Sequence, residues 1–483
     1  MSSTYNPAYV YAIAMTGALG SIFFGYINSI MNPLQDYIQD NVYTTMNDSL
    51  MTLTSSLVPA GAAVGAFIST DLAKKVGRRN AMFITDAISV LGVIITLIGN
   101  QYCLLFGRLI SGVCVGFNSS LVPLYIAEVS PAEARGVTGS FTQVFVSIGI
   151  LIAYLFGLHV PTGQDYSTTK WWWRFMLGFG ILIAVVRSVI LLVGFRSDTP
   201  KFLLANGKEE EAVKILAKIY KKEQVAEQLN LLKKDKEINT HAGKVTYRDL
   251  ISPQYRSRFV IGCLLAMLQQ FSGINAIIYY STSLFEDPDD PNSKKPQIYT
   301  VVVGILNLIS AFIATLVIKR VGRRQLLLFG SVVLFVALVL LPIIGWAAPD
   351  AGSASKYFIF LFILGFGFSL GSVTWIYISE ILPDIGVGVA TLLSWVSCVI
   401  VAQAFPYLMD GIGSNPTWLI LACIVFAGFL FILRWVPETQ GKEPHEIATL
   451  FSGKEKYGLE YADPETQKVN ENQAKSEEVD QKA

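Results

Sequence analysis

The sequence predicts an all-α integral membrane protein: twelve transmembrane helices in two pseudo-symmetric halves of six, with short cytoplasmic helices between them. Composition, the number of long apolar stretches and a set of repeated patterns carry this expectation. Of 483 residues, 52% are hydrophobic and 15% charged, whereas soluble domains carry roughly 25% charged residues. A spanning helix needs ~20 mostly apolar residues. Such stretches fall near 9–31, 51–72, 80–99, 102–127, 137–158, 173–195, 257–284, 297–319, 325–347, 356–381, 387–410 and 415–436. "KKVGRRN" returns as "KRVGRRQ", "YIAEVSP" as "YISEILP" and, more loosely, "SDTPKF" as "PETQGK". Each pair is roughly 240–250 residues apart, and two related halves with a site at their interface form a transporter architecture.

The first apolar run is long and lacks a basic leader, so it reads as a true span and not a cleavable signal. Segment 32–50 contains no Lys or Arg, while "LAKKVGRRN" and "VIKRVGRRQ" are dense in them. The positive-inside rule places those two loops in the cytoplasm, and an even number of spans then puts both termini there. The polar segment beginning "FRSDTPKFLLANGKEEEAVKILAKIYKKEQ" has helical periodicity and much charge, as expected of amphipathic helices on the cytoplasmic surface. After about Phe451 the chain is rich in Lys, Glu, Gln and Asn and reads as disordered. The expected units are a cytoplasmic N-terminus (1–8), a first bundle (9–196), linker helices (197–256), a second bundle (257–436) and a tail (437–483).

Several function classes are disfavoured at once. A net charge of +1 gives no bias toward nucleic acid. Cys103, Cys114, Cys263, Cys398 and Cys423 lie in apolar segments without paired or metal-like spacing, and read as small core hydrophobes. No nucleophile–base motif, metal cluster or phosphate loop stands out, so neither an enzyme nor a cofactor is expected.

The stretch "QQFSGINAIIYYSTS" sets Gln269, Gln270, Ser272, Asn275, Tyr279 and Tyr280 inside an apolar run. Polar groups buried in a bilayer need partners. One reading is hydrogen bonding between helices; the other is a ligand. A sugar offers hydroxyls that both donate and accept, and Gln and Asn match this without charge. At ~100° per residue, Gln270 and Asn275 lie ~140° apart on a straight helix. Ser272-Gly273 between them therefore suggests a break, which is permitted where backbone lines a cavity.

The chain resembles the sugar porters of the major facilitator superfamily and is similar to the eukaryotic facilitative hexose transporters. The resemblance rests on "FGY" at 24–26, "GRR" at 77–79 and 322–324, "GR" at 107–108, "VPLYIAEVSPAEARG" at 122–136, "QQFSGINAIIYYSTS" and "VPETQGK" at 436–442. It covers nearly everything but the tail. It implies that Gln269, Gln270 and Asn275 hold sugar from the second half, with Asn307 on the eighth span, Gln143 on the fifth and Trp375 at the cavity floor. Tyr279 and Tyr280 match an outer gate. The family's "GPxPxW" prolines are replaced by Ser372 and Thr374, so bending there is expected to rely on Gly371. Ala266-Met267-Leu268 stands where QLS is usual.

Arg78, Arg79, Glu128 and Arg135 are repeated in the second half by Arg323, Arg324 and Glu380, and the match to Arg135 is Val387. They read either as topology signals or as an ion-pair lattice that latches the cytoplasmic side in the outward-facing state, weaker in the second half. Proton-coupled relatives carry an acid directly after "FGY"; here that residue is Ile27. Asp86 is the acid deep in a predicted span, expected to be paired with a neighbouring helix, with proton coupling as the alternative. Asn47-Asp48-Ser49 is an N-glycosylation sequon in the first outer loop.

The expected function is facilitated transport of hexoses, glucose foremost, by alternating access. A proton-coupled sugar or inositol symporter and a non-transporting sugar sensor are the alternatives. The expected partners are a small sugar and the lipid bilayer. The expected setting is a multi-pass protein of the plasma membrane, working as a monomer.

Overall fold

The computed structural model describes residues 4–161, 171–241, 245–286, 293–318, 320–347, 352–442 and 444–452. Among these, twelve segments are long and apolar enough to cross a membrane: Pro7–Asn41, Asp48–Val76, Arg78–Thr96, Gln101–Val129, Arg135–Gly157, Trp172–Val193, Arg256–Leu284, Lys295–Val317, Arg323–Ala347, Ser355–Ile381, Asp384–Ile412 and Ser414–Trp435. The protein is thus the all-helical, multi-pass membrane protein that composition and span count predict.

Local chemistry sets several helix starts. Asn6 caps the first helix and Pro7 follows, where a missing N–H costs nothing. Asn47 and Asn100 cap the second and fourth spans by accepting from Leu50 N and Tyr102 N. Most span ends fall within a few residues of the expected ones. The first is the exception: after helix Pro7–Ser29 it continues through a 3-10 turn, Asn32–Leu34, into helix Gln35–Asn41.

Spans one to six pack among themselves, as do seven to twelve. The second packs along the eleventh and the fifth along the eighth, which joins the halves. Between the halves lie helices Pro200–Ala205, Glu209–Ile219 and Lys222–His241. The second of these buries Ala212, Ile215 and Ile219 against Tyr5, Val10 and Ala134 of the first half. The residues before the first helix tie in as well, with Asn6 N donating to Ile219 O and Lys221 N to Thr4 O. A further helix, Pro444–Ser452, follows residues 437–442 in the segment read as tail; 443 and 453–483 lie outside the described residues.

Candidate substrate site between the halves

The seventh span consists of two helices, Arg256–Phe271 and Ile274–Leu284, parted at Ser272-Gly273. Gly273 has φ 95°, a left-handed conformation that costs a residue with a side chain ~1–2 kcal/mol. The break turns Asn275 back onto Gln270, and Asn275 Nδ2 donates to Gln270 Oε1. Two amides that a straight helix would splay apart therefore face one place.

The eleventh span walls that place. Gln270 Nε2 donates to Ser394 Oγ at 2.8 Å, and Asn275 Nδ2 also donates to Cys398 Sγ at 3.1 Å. The tenth span contributes a π-helical segment, Gly367–Gly371. A π segment interrupts the regular ladder and frees carbonyls; here Gln269 Nε2 takes those of Leu370 and Gly371 at 3.0 and 3.2 Å. The distortion thus includes Gly371, the residue on which bending was expected to rely. Gln269 Oε1 is buried without a partner.

From the eighth span, Asn307 Oδ1 accepts from Ser147 Oγ of the fifth at 2.6 Å. Ser147 also bonds the carbonyl of Gln143, one turn earlier at 3.1 Å. Gln143, Gln270, Asn275 and Trp375 are only half-buried, so each retains accessible surface.

At the end remote from the two GRR loops, the halves are bolted together. Tyr279 donates to Asn28 Oδ1 at 2.9 Å, and Tyr154 of the fifth span donates to Ile278 O at 2.7 Å. Asn32 donates to Ile278 O and Ser281 Oγ, both at 2.7 Å, and accepts from Thr282 N at 3.0 Å. Ser56 donates to Gln403 Oε1 at 2.9 Å. Tyr280 donates to Ala402 O at 2.8 Å in its own half and stacks on Phe405. Among the described residues, hydrogen bonds between the bundles run from mid-span (Ser147–Asn307) outward to this far end. At the GRR end the ion pairs among the described residues stay within their own halves.

At the GRR end the charges form two matching clasps, each within its own half. Arg78 grips Glu128 at 2.7 Å, and Glu128 also accepts from Thr199 at 2.6 Å. Arg323 grips Glu380 at 2.9 Å, and Glu380 accepts from Thr439 at 2.6 Å. Asp198 accepts from the backbone N–H groups of Arg78 and Arg79 (both 3.1 Å), and Glu438 from those of Arg323 and Arg324 (2.8 and 3.0 Å). Each is a carboxylate seated on a helix N-terminus. Gly77 and Gly322 are needed there: an added Cβ would sit 2.2 Å from the Asp198 or Glu438 carboxylate. Burial raises the Asp198 carboxyl despite the opposing N–H groups.

The lattice is expected of the outward-facing state; in this arrangement the two ion pairs lie within their own halves. Arg79 turns to Phe195 O and Leu191 O, Arg135 to Ser130 O and Arg324 to Leu433 O. None of the three guanidinium groups meets a carboxylate among the described residues.

Asp86 is clamped by Arg187 of the sixth span, with contacts of 2.5–3.1 Å, and accepts from Ser188 at 2.7 Å. Arg187 also donates to Asn118 Oδ1 at 2.7 Å. This is the pairing with a neighbouring helix expected of Asp86. Arg108 is buried beside Ile27, donating to Ile27 O and Thr54 O, with one Nη unpartnered. Asn47 is exposed, with its side-chain oxygen committed to the cap.

Sequence reading missed Ser394 and Cys398, although "SWVSC" places polar atoms one helical turn apart. It also missed Asn28 and Asn32, two amides in "YINSIMNPL". Both signals were legible as polar residues within apolar spans.

A family model described as "Sugar (and other) transporter" matches residues 10–451. The chain is 33% identical over 446 residues to the glucose transporter GlcP of Staphylococcus epidermidis, covering 90% of this chain and 96% of that one. It is 30% identical over 482 residues to facilitated glucose transporter member 3 of Oryctolagus cuniculus, covering 94% of each. Hexose transporter 1 of Plasmodium vivax is 31% identical over 467 residues, covering 91% and 92%. Among solved structures, the xylose transporter XylE from E. coli, in a partially occluded inward-open conformation, superimposes with a TM-score of 0.75 at 22% identity. That match covers 90% of this chain and 100% of the other, and shows a shared fold.

Proposed function

The chain belongs to the sugar (and other) transporter family, whose members are transporters and not enzymes, and from this premise we propose that it equilibrates hexoses, glucose foremost, by alternating access. The single observation that carries the site is the broken seventh span, which gathers Gln269, Gln270 and Asn275 at the junction of the halves. In this reading the three amides, with Asn307 and Gln143 opposite and Trp375 as floor, bind sugar hydroxyls. The unpartnered Gln269 Oε1 accepts one of them. Tyr279, bonded to the first half, and Tyr280 close the outer side.

Positive-inside logic assigns the GRR end to the cytoplasm, both termini with it, and Asn47 to the outside as a glycan acceptor. The bonds concentrated at the far end then support an outward-closed state that faces the cytoplasm. The two clasps stiffen each half at its cytoplasmic end. We assign residues 9–196 and 257–436 to the moving bundles, 197–256 to the linker and the plasma membrane as location, with the monomer as working unit.

Uncoupled transport is favoured over proton symport for two reasons. Ile27 offers no carboxyl at the position that proton-coupled relatives use. Asp86, the deep acid, is committed to Arg187. The test is steady-state uptake of a non-metabolised glucose analogue in proteoliposomes, acidic outside. Equal sugar on both sides is expected; accumulation abolished by a protonophore overturns the uniporter reading. Absence of any protein-dependent hexose flux, with sugar binding retained, would instead indicate a sensor.

A further inference from the structure

We infer that Cys398 is a positioning residue whose sulfur couples the candidate sugar site to the gate by holding Asn275 and Tyr279 weakly in the sugar-free state. The inference rests on the sugar-transport reading of the preceding section. Asn275 and Tyr279 are four residues apart on helix Ile274–Leu284, hence on one face of it. Both meet the same atom: Asn275 Nδ2 at 3.1 Å and Tyr279 OH at 3.5 Å from Cys398 Sγ. Cys398 is fully buried, and neighbouring groups on its own helix already have partners: Ser394 binds Gln270 and Ser397 binds Leu393 O. Tyr279 also reaches across to Asn28 of the first half. A continuous path therefore runs Gln270–Asn275–Cys398–Tyr279–Asn28, from the amide cluster to the bond that closes the far end.

The choice of sulfur matters because a thiol is a weak acceptor and a weak donor. A sugar hydroxyl is the better acceptor, so Asn275 can exchange its bond to sulfur for one to the ligand at small cost. The gate helix is thereby held in place but not locked. A hydroxyl at this position would bind the same two groups more tightly and resist their movement. An alanine would leave them without the shared partner.

The test compares wild type, Cys398→Ser and Cys398→Ala as full-length proteins in lipid nanodiscs and in proteoliposomes. Without sugar, the backbone amides of 274–284 should exchange about threefold more slowly in Cys398→Ser and about threefold faster in Cys398→Ala, the ratio that a hydrogen bond's difference of ~0.7 kcal/mol produces. Turnover should fall in Cys398→Ser and rise in Cys398→Ala, with KM moving less than turnover in both. A merely structural role would make both variants exchange faster. Same-direction shifts, unchanged exchange, or a change dominated by KM overturns the inference. If Cys398→Ser does not fold, Cys398→Ala decides: faster exchange together with higher turnover supports the inference, and exchange no faster or turnover no higher than wild type overturns it. The exchange measurement contains no sugar, so failure of the wild type to move hexose would overturn the transport reading alone.

Discussion

The two halves of the molecule share their charged ends and differ in how they use polar residues in mid-membrane. At the GRR end, Arg78–Glu128–Thr199 and Arg323–Glu380–Thr439 are near copies, with Asp198 and Glu438 seated on equivalent helix starts. Deeper in, the first half keeps its buried charges to itself: Asp86, Arg187 and Asn118 satisfy one another within the bundle. The second half presents amides where the bundles meet, around a broken helix. The difference suggests a division of labour, with the first half a stiff frame and the second carrying the part that must rearrange.

The strongest test of this contrast is Asp86→Asn. It leaves the Arg187 guanidinium buried without a counter-charge, which should cost about 3–5 kcal/mol. A large fall in thermal unfolding temperature, or loss of folded protein, is expected. Replacing both partners by a neutral pair should recover much of that loss. If Asp86→Asn is as stable as wild type, the first half is no frame.

Gln270→Ala should do the reverse, sparing the fold and weakening sugar binding. Losing one dry hydrogen-bonding partner costs ~1–3 kcal/mol, or about tenfold in affinity. Normal affinity in well-folded Gln270→Ala protein would remove the second half's claim to the site.

The clasps allow a finer comparison. Arg78 and Glu128 are 11% and 5% exposed, Arg323 and Glu380 19% and 24%. Solvent screens the second pair more. Glu128→Gln should therefore cost about 1–2 kcal/mol and Glu380→Gln less than about 1. Unfolding midpoints of the two variants would show it, and equal losses would mean that the clasps are energetically identical.

The smallest effect concerns pH at the far end. Glu286 follows the seventh span; the residue keeps an exposed face, yet partial burial of its carboxyl, then Asp36 and Asp40, pushes it up to about 7. Parting of the ends should return it toward the ordinary value of about 4.3. The closed arrangement thus holds the proton more tightly; the stability it gains is present at low pH and lost as pH rises through about 7. Far-side labelling of a gate reporter should increase modestly between acid and alkaline medium, and Glu286→Gln should flatten the response.

Sequence alone settled the class of the molecule. Twelve apolar runs leave the chain no other way to satisfy its backbone in lipid than to form helices. The repeats of GRR and of Glu128 in Glu380 announced two halves, and Ser272-Gly273 announced the break, because only glycine adopts that backbone cheaply. What tertiary structure decided was partnership. Arg79 and Arg324 looked like members of a carboxylate lattice, and in this arrangement folding sets them against carbonyls at the ends of distant helices. Cys398 looked like a small apolar residue, yet it lies against Asn275 and Tyr279 because the eleventh span packs on the broken seventh. Periodicity tells which face a residue occupies; it carries no information about what stands opposite, since that depends on helices more than a hundred positions away in the chain.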